Sequence, residues 1–177
     1  MTLKRRAAPY SSTQVAPERS KVEIETLLRK FGADGVSWSE NWKQNRAQVQ
    51  FIIQAEGQRP ILVRLEPPPF LEKRRSWVPE HGRYEQVDAP NWAQSYRLLK
   101  AYLKAKLESI VYGLRDVQEE FLSDVVVRDE AGRDRRVGEI YAQQLEEGKI
   151  THALPPGQED QVRGTRTIVD VEGRAVA

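Results

Sequence analysis

The sequence predicts an α+β fold: a three-stranded, mainly antiparallel sheet packed against two helices, with a C-terminal hairpin and short helices. Two observations carry this. Residues 17–31 and 90–113 repeat apolar side chains every three or four positions, which marks helices with one buried face. Between them, 46–54 and 61–66 alternate apolar and polar residues with a period of two, which marks half-buried strands. A helix with one apolar stripe needs a covering surface, and a sheet with one apolar face supplies it. The 177 residues suffice for one domain with tails. We read a flexible basic arm over 1–16, the domain over 17–150 and an extended or disordered tail over 151–177.

The arm contains Lys4, Arg5 and Arg6 among small and polar residues, with too little apolar content to offset the entropy of ordering. In the first helix, Val22, Ile24, Leu27, Leu28 and Phe31 form a broad apolar face. Pro17 and Glu18 suit its first turn, and Arg29 and Lys30 suit its last. GADG at 32–35 is a turn. Val36, Trp38 and Trp42 suggest a first strand whose alternation is interrupted by Glu40. The second strand directs Ala47, Val49, Phe51 and Ile53 inward, and the third directs Ile61, Val63 and Leu65 inward. The short segment 56–60 makes these two a hairpin. Pro67, Pro68 and Pro69 stop the pairing, because proline has no ladder donor.

Residues 70–89 read as a long connection. In the second helix, Pro90 suits the first helical position and Gly113 the stop. Trp92, Tyr96, Leu99, Leu103, Leu107, Ile110 and Leu114 fall within a stripe roughly 80° wide at about 100° per residue. Leu99, Leu103, Leu107 and Ile110 are expected to meet the inward residues of the sheet. Asp116 and Glu119 are spaced as a capping box. The short helix after them should bury Val117, Phe121 and Leu122. A hairpin then turns around Gly132, and a last helix runs from about Gly138 to Glu147, with Ile140, Tyr141 and Leu145 apolar.

Composition narrows the function classes. The net charge is +2, but it is uneven. Residues 59–106 contain ten basic and five acidic groups, whereas 107–177 contain nine basic and fifteen acidic. Such asymmetry can mark a surface for a nucleic-acid partner, DNA or RNA, and can equally produce internal ion pairs. No run approaches the roughly 18 apolar residues of a membrane span, so we expect no membrane partner. Basic residues 4–6 are followed by no apolar core of a secretory signal. With no cysteine there is no disulfide and no thiol nucleophile, which suits the cytoplasm.

No catalytic pattern emerges. His81 and His152 are far apart and outside any HExxH arrangement, and there is no GxSxG, Walker or GxGxxG motif. Glu119–Glu120 and Glu146–Glu147 are neighbours that point about 100° apart on a helix, a pattern of solvated charge. Glu147-Gly148-Lys149 echoes the end of some nuclease motifs, but at a helix end rather than on a central strand. The expectation is a non-enzyme with no cofactor and no metal.

Basic groups beside aromatics are the chemistry of single-strand recognition, in which cations meet phosphates and rings stack on bases. The candidate nucleic-acid-binding residues are therefore Arg5 and Arg6 of the arm, Lys73, Arg74, Arg75, Trp77, Arg83 and Tyr84 of the connection, and Arg97, Lys100 and Lys104 on one helix flank. In element order alone, helix, three strands and long helix, the chain resembles the double-stranded RNA-binding domain. The groove-contacting loops of that domain are not recognisable in the sequence.

PYSSTQVAPERSKVEIETLLRKFGADG at 9–35, FLSDVVV with RRVGE within 121–139, and LPPG at 154–157 resemble a family of uncharacterised small proteins encoded by bacteriophages, prophages and other mobile elements. The resemblance implies a bacterial host cytoplasm and an accessory role in DNA metabolism. The alternative expectation is an adaptor or inhibitor that binds a host enzyme through the acidic C-terminal half or the TIVDV segment at 167–171.

Overall fold

The computed structural model describes residues 9–41, 43–54 and 57–151. The chain divides at Ile140 into two units. In the first, helix α1 (Pro17–Lys30) leads into strands β1 (Gly35–Asn41), β2 (Arg46–Ile53) and β3 (Ile61–Leu65). A pair of strands follows, β4 (Leu71–Val78) and β5 (Arg83–Pro90), and then helix α2 (Trp92–Val111). Helix α3 (Val117–Phe121), a 3₁₀ turn over Leu122–Asp124, and strands β6 (Val126–Arg128) and β7 (Asp134–Arg136) come next. Helix α4 (Val137–Glu146) begins in the first unit and buries none of its residues fully. The described part of the second unit, 141–151, holds the rest of α4 and the turn at Gly148, whose φ is +71°.

The fold is α+β. Strands β1, β2 and β3 form one antiparallel sheet in sequence order, with Val36 opposite Phe51, Trp38 opposite Val49 and Phe51 opposite Val63. Opposed residues share a face. Ala47, Val49, Phe51, Ile53, Val63 and Leu65 therefore make one apolar surface, and all are buried. Ile24 and Leu28 of α1 and Leu99, Leu103 and Leu107 of α2 join them in a single core, with Ile110 packed at its margin. Phe121 of α3 closes it edge-on to Phe51, with ring centroids 5.5 Å apart.

Several expected details differ. Val22 is 60% exposed, because α1 buries the narrower stripe Ser20, Ile24 and Leu28, four residues apart. Leu122 is exposed because the 3₁₀ turn rotates it out of the α3 face. Leu114 lies beyond the end of α2 and is exposed. Pro90 is the last residue of β5 rather than the first of α2. Asn91 caps the helix instead, its side chain accepting from the Gln94 N–H at 3.0 Å. Glu40 does not break β1; it occupies an inward position and finds polar partners there. Trp42, Ala55 and Glu56 lie outside the described residues, as do His152, LPPG and TIVDV.

The main departure is the segment 70–89. It is a β-ribbon, with β4 and β5 paired from Leu71 opposite Pro90 to Val78 opposite Arg83. The loop 79–82 turns the chain, with Gly82 at φ +60° and its N–H bonded to the Val78 carbonyl at 2.9 Å. The Asn91 N–H donates to the Phe70 carbonyl at 2.8 Å, which ties the foot of the ribbon to the cap of α2.

The segments FLSD and RRVGE meet. The Val137 N–H donates to the Val125 carbonyl at 2.9 Å, and Val125 bridges to Val63 at the β3 edge. Gly138 sits so close to Ser123 that an added Cβ would fall 2.8 Å from its carbonyl oxygen.

Candidate nucleic-acid interface

Alternation along β4 and β5 gives the ribbon two different faces. On one, Glu72, Arg74, Arg83 and Glu85 pair among themselves. Arg74 bonds Glu72 at 2.8 Å, and Arg83 bonds Glu85 at 2.6 Å. The loop residue His81 lies 3.1 Å from Glu85 through Nδ1. The other face carries Leu71, Lys73, Arg75 and Trp77, opposite Pro90, Asp88, Gln86 and Tyr84. Trp77 and Tyr84 meet edge to face, with centroids 5.3 Å apart, and are 51% and 60% exposed. The Arg75 guanidinium lies 5.5 Å from the centre of the Tyr84 ring. Lys73 and Arg75 have no salt bridge among the described residues; Asp88 is the acidic neighbour across the ribbon from Lys73.

The ribbon therefore sorts the expected site residues. Lys73, Arg75, Trp77 and Tyr84 share an exposed face, and Arg74 and Arg83 lie on the opposite face in ion pairs. Counted whole, residues 71–90 hold four basic groups (Lys73, Arg74, Arg75, Arg83) and four acidic ones (Glu72, Glu80, Glu85, Asp88). The ribbon presents a local arrangement of charge rather than a strong net field.

The helix flank does not form a free cationic ridge. Arg97 and Lys100 both bond Glu23 of α1, Lys100 at 2.6 Å, and Arg19 approaches the same carboxylate at 3.3 Å. These hydrogen bonds, Lys100 first and then Arg97, outweigh burial and lower the Glu23 pKa from 4.5 to about 2. Lys104 lies 3.4 Å from Glu108 one turn on. Arg5 and Arg6 lie outside the described residues.

At the foot of the ribbon is a cleft of about 310 Å³. Leu71 and Pro90 line it from the ribbon, and Pro67, Phe70 and Trp92 add apolar surface. Gln44 and Asn45 supply amides, and Asn45 takes the left-handed conformation at φ +51°, which asparagine tolerates. Arg46, also in the lining, is held by Glu66 at 3.0 and 3.1 Å. Leu71, 63% exposed, thus belongs both to the cleft and to the cationic, aromatic face of the ribbon.

Two polar clusters were not anticipated. Glu40 accepts from the Tyr96 hydroxyl at 2.8 Å and pairs with Lys21, and the Lys21 bond holds its carboxyl below the ordinary range against the effect of burial. Burial, with Glu40 beside it, pushes the Tyr96 hydroxyl far up. The interruption of β1 was the signal of this cluster. Lys106 is nearly buried on α2, where it donates to the Glu120 carbonyl at 2.5 Å and lies 3.4 and 3.5 Å from the Glu120 and Asp124 carboxylates. The Asp124 contact is an ion pair only, since Oδ2 has no hydrogen bond among the described residues. Burial pulls the Lys106 pKa down, but Tyr102, Asp124 and Glu120 outweigh it and the net shift is upward. Both clusters join elements of the core.

Among the described residues no group of three or more His, Asp or Glu is placed to hold a metal ion, and no helix is long and apolar enough to cross a membrane. Comparison with protein-family models, with curated proteins and with solved structures finds no match to this chain.

Proposed function

We propose that this chain is a non-catalytic nucleic-acid-binding protein that works through the exposed ribbon face. One observation carries the reading: Lys73, Arg75, Trp77 and Tyr84 stand together on one face, while the ribbon's ion pairs are gathered on the other. Cations there meet phosphates, and the rings offer π-faces to bases. The resemblance of residues 9–35 and 121–139 to phage and mobile-element proteins supports an accessory role in DNA metabolism in a bacterial cytoplasm.

The charge arrangement sets the expected salt dependence. With Arg97 and Lys100 occupied by Glu23, the ribbon face offers two cations to phosphate, and single strands release about 0.7 counterion per phosphate. A plot of log K against log salt should fall with a slope of about −1.4. The test is fluorescence anisotropy on labelled DNA and RNA across a salt series. Lys73→Ala with Arg75→Ala should weaken binding at least tenfold. Arg74→Ala with Arg83→Ala removes the same charge and should cost less than threefold. No binding to any single- or double-stranded DNA or RNA at low salt overturns the reading.

A second reading, an adaptor or inhibitor for a host protein, is favoured by the exposed apolar residues Val111, Tyr112 and Leu114 at the end of α2. Recovery of one stoichiometric protein from bacterial lysate, lost on Tyr112→Ser with Leu114→Ser, would support it.

A further inference from the structure

We infer that the ribbon face and the cleft at its foot are one continuous site for single-stranded nucleic acid, and that the cleft receives a base unstacked from the strand. This rests on the ribbon face being the nucleic-acid surface proposed above. Continuity follows from Leu71. Strand alternation puts it on the same face as Lys73, Arg75 and Trp77, and it also lines the cleft together with its partner Pro90. From Leu71 to Trp77 the strand covers about 20 Å. A chain of nucleotides laid along this face runs from the Trp77–Tyr84 pair, past Arg75 and Lys73, to the cleft.

The chemistry selects a single strand in two ways. Trp77 and Tyr84 are half exposed, and an aromatic face gains from stacking only on bases not already stacked in a duplex. The cleft, at about 310 Å³, is the size of a small-ligand cavity. It has room for a flat base, whose faces and edge are free only on an unpaired strand. Its apolar part, with Trp92 and Phe70, suits the faces of a base, and the Gln44 and Asn45 amides suit hydrogen bonding to its edge. The two lysine and arginine positions lie between the stacking platform and the cleft, where the connecting phosphates would run.

The test uses the full chain and anisotropy on a labelled 12-nucleotide single strand and the blunt duplex of the same sequence at low salt. Single-strand binding should be at least tenfold tighter. Trp77→Ala with Tyr84→Ala should weaken it about tenfold to a hundredfold. Leu71→Glu, at the junction, should weaken it about tenfold and Leu71→Ser less, with circular dichroism and melting temperature checking that each variant is folded. Equal affinity for strand and duplex overturns this inference and leaves the functional reading standing. So does a folded Leu71→Glu variant that binds as the parent does while Trp77→Ala with Tyr84→Ala does not. Binding of neither nucleic acid overturns both, and directs attention to a protein partner.

Discussion

Glu23 is where the arrangement of charge can be tested most directly. Its carboxylate receives Arg97, Lys100 and Arg19, and so links α1 to α2. A carboxyl lowered from 4.5 to about 2 stabilises the fold by at most about 3 kcal/mol. The side chain is 26% exposed, and solvent screens such pairs, so we expect about 1–2 kcal/mol. Because the folded value is depressed, this stability is fully present above pH 4.5 and is lost as pH falls from 4.5 towards 2. Glu23→Gln should therefore lower the urea midpoint at pH 7 and cost little at pH 2. It also releases Arg97 and Lys100, so nucleic-acid binding should strengthen if that flank lies within reach of the strand. Equal midpoints for the parent and Glu23→Gln at pH 7 would refute the account of how the flank is occupied.

Other outcomes follow from the core. Leu103 is fully buried between the helices and the sheet, so Leu103→Ala should cost about 2–5 kcal/mol by chemical denaturation. An unchanged midpoint would contradict the packing. Gly138→Ala places a Cβ 2.8 Å from the Ser123 carbonyl oxygen and should cost about 1–3 kcal/mol, read as a lower melting temperature. Ser20 is fully buried in α1, and its hydroxyl has no hydrogen-bond partner among the described residues. Ser20→Ala should leave stability equal or raise it by about 1 kcal/mol, and a clear loss in the same assay would reveal a bond to that hydroxyl.

The candidate site was legible in its residue types but not in its geometry. The mix of Lys73, Arg75, Trp77 and Tyr84 could be read from the chain. Their separation from Arg74 and Arg83 could not, because 70–89 lacks the alternation that marks a half-buried strand pair. No residue of the ribbon is fully buried, and its ion-paired face is only half-buried, so it lacks the strong apolar alternation that identified β2 and β3. The turn residues Pro79 and Gly82, between SWV and RYEQV, were the available signal. The surroundings of the helix flank were hidden for a different reason. Arg97, Lys100 and Lys104 do lie on one side of α2, but only the packing of α1 against it brings Glu23 to two of them.

By itself the sequence determined the elements whose side chains divide between core and water. The stripe from Tyr96 to Leu107 and the alternation from Ala47 to Leu65 are repeated demands for burial, and each states its own secondary structure. Capping at Asp116 and Glu119 is equally local, two side chains meeting two nearby N–H groups. Only the tertiary structure decided what depends on partners distant in sequence: Glu23 beneath Arg97 and Lys100, Glu40 against Tyr96, Lys106 against Glu120 and Asp124, and Leu71 shared between ribbon and cleft. A charge is free or occupied according to what folds against it, and the sequence of its own segment does not contain that information.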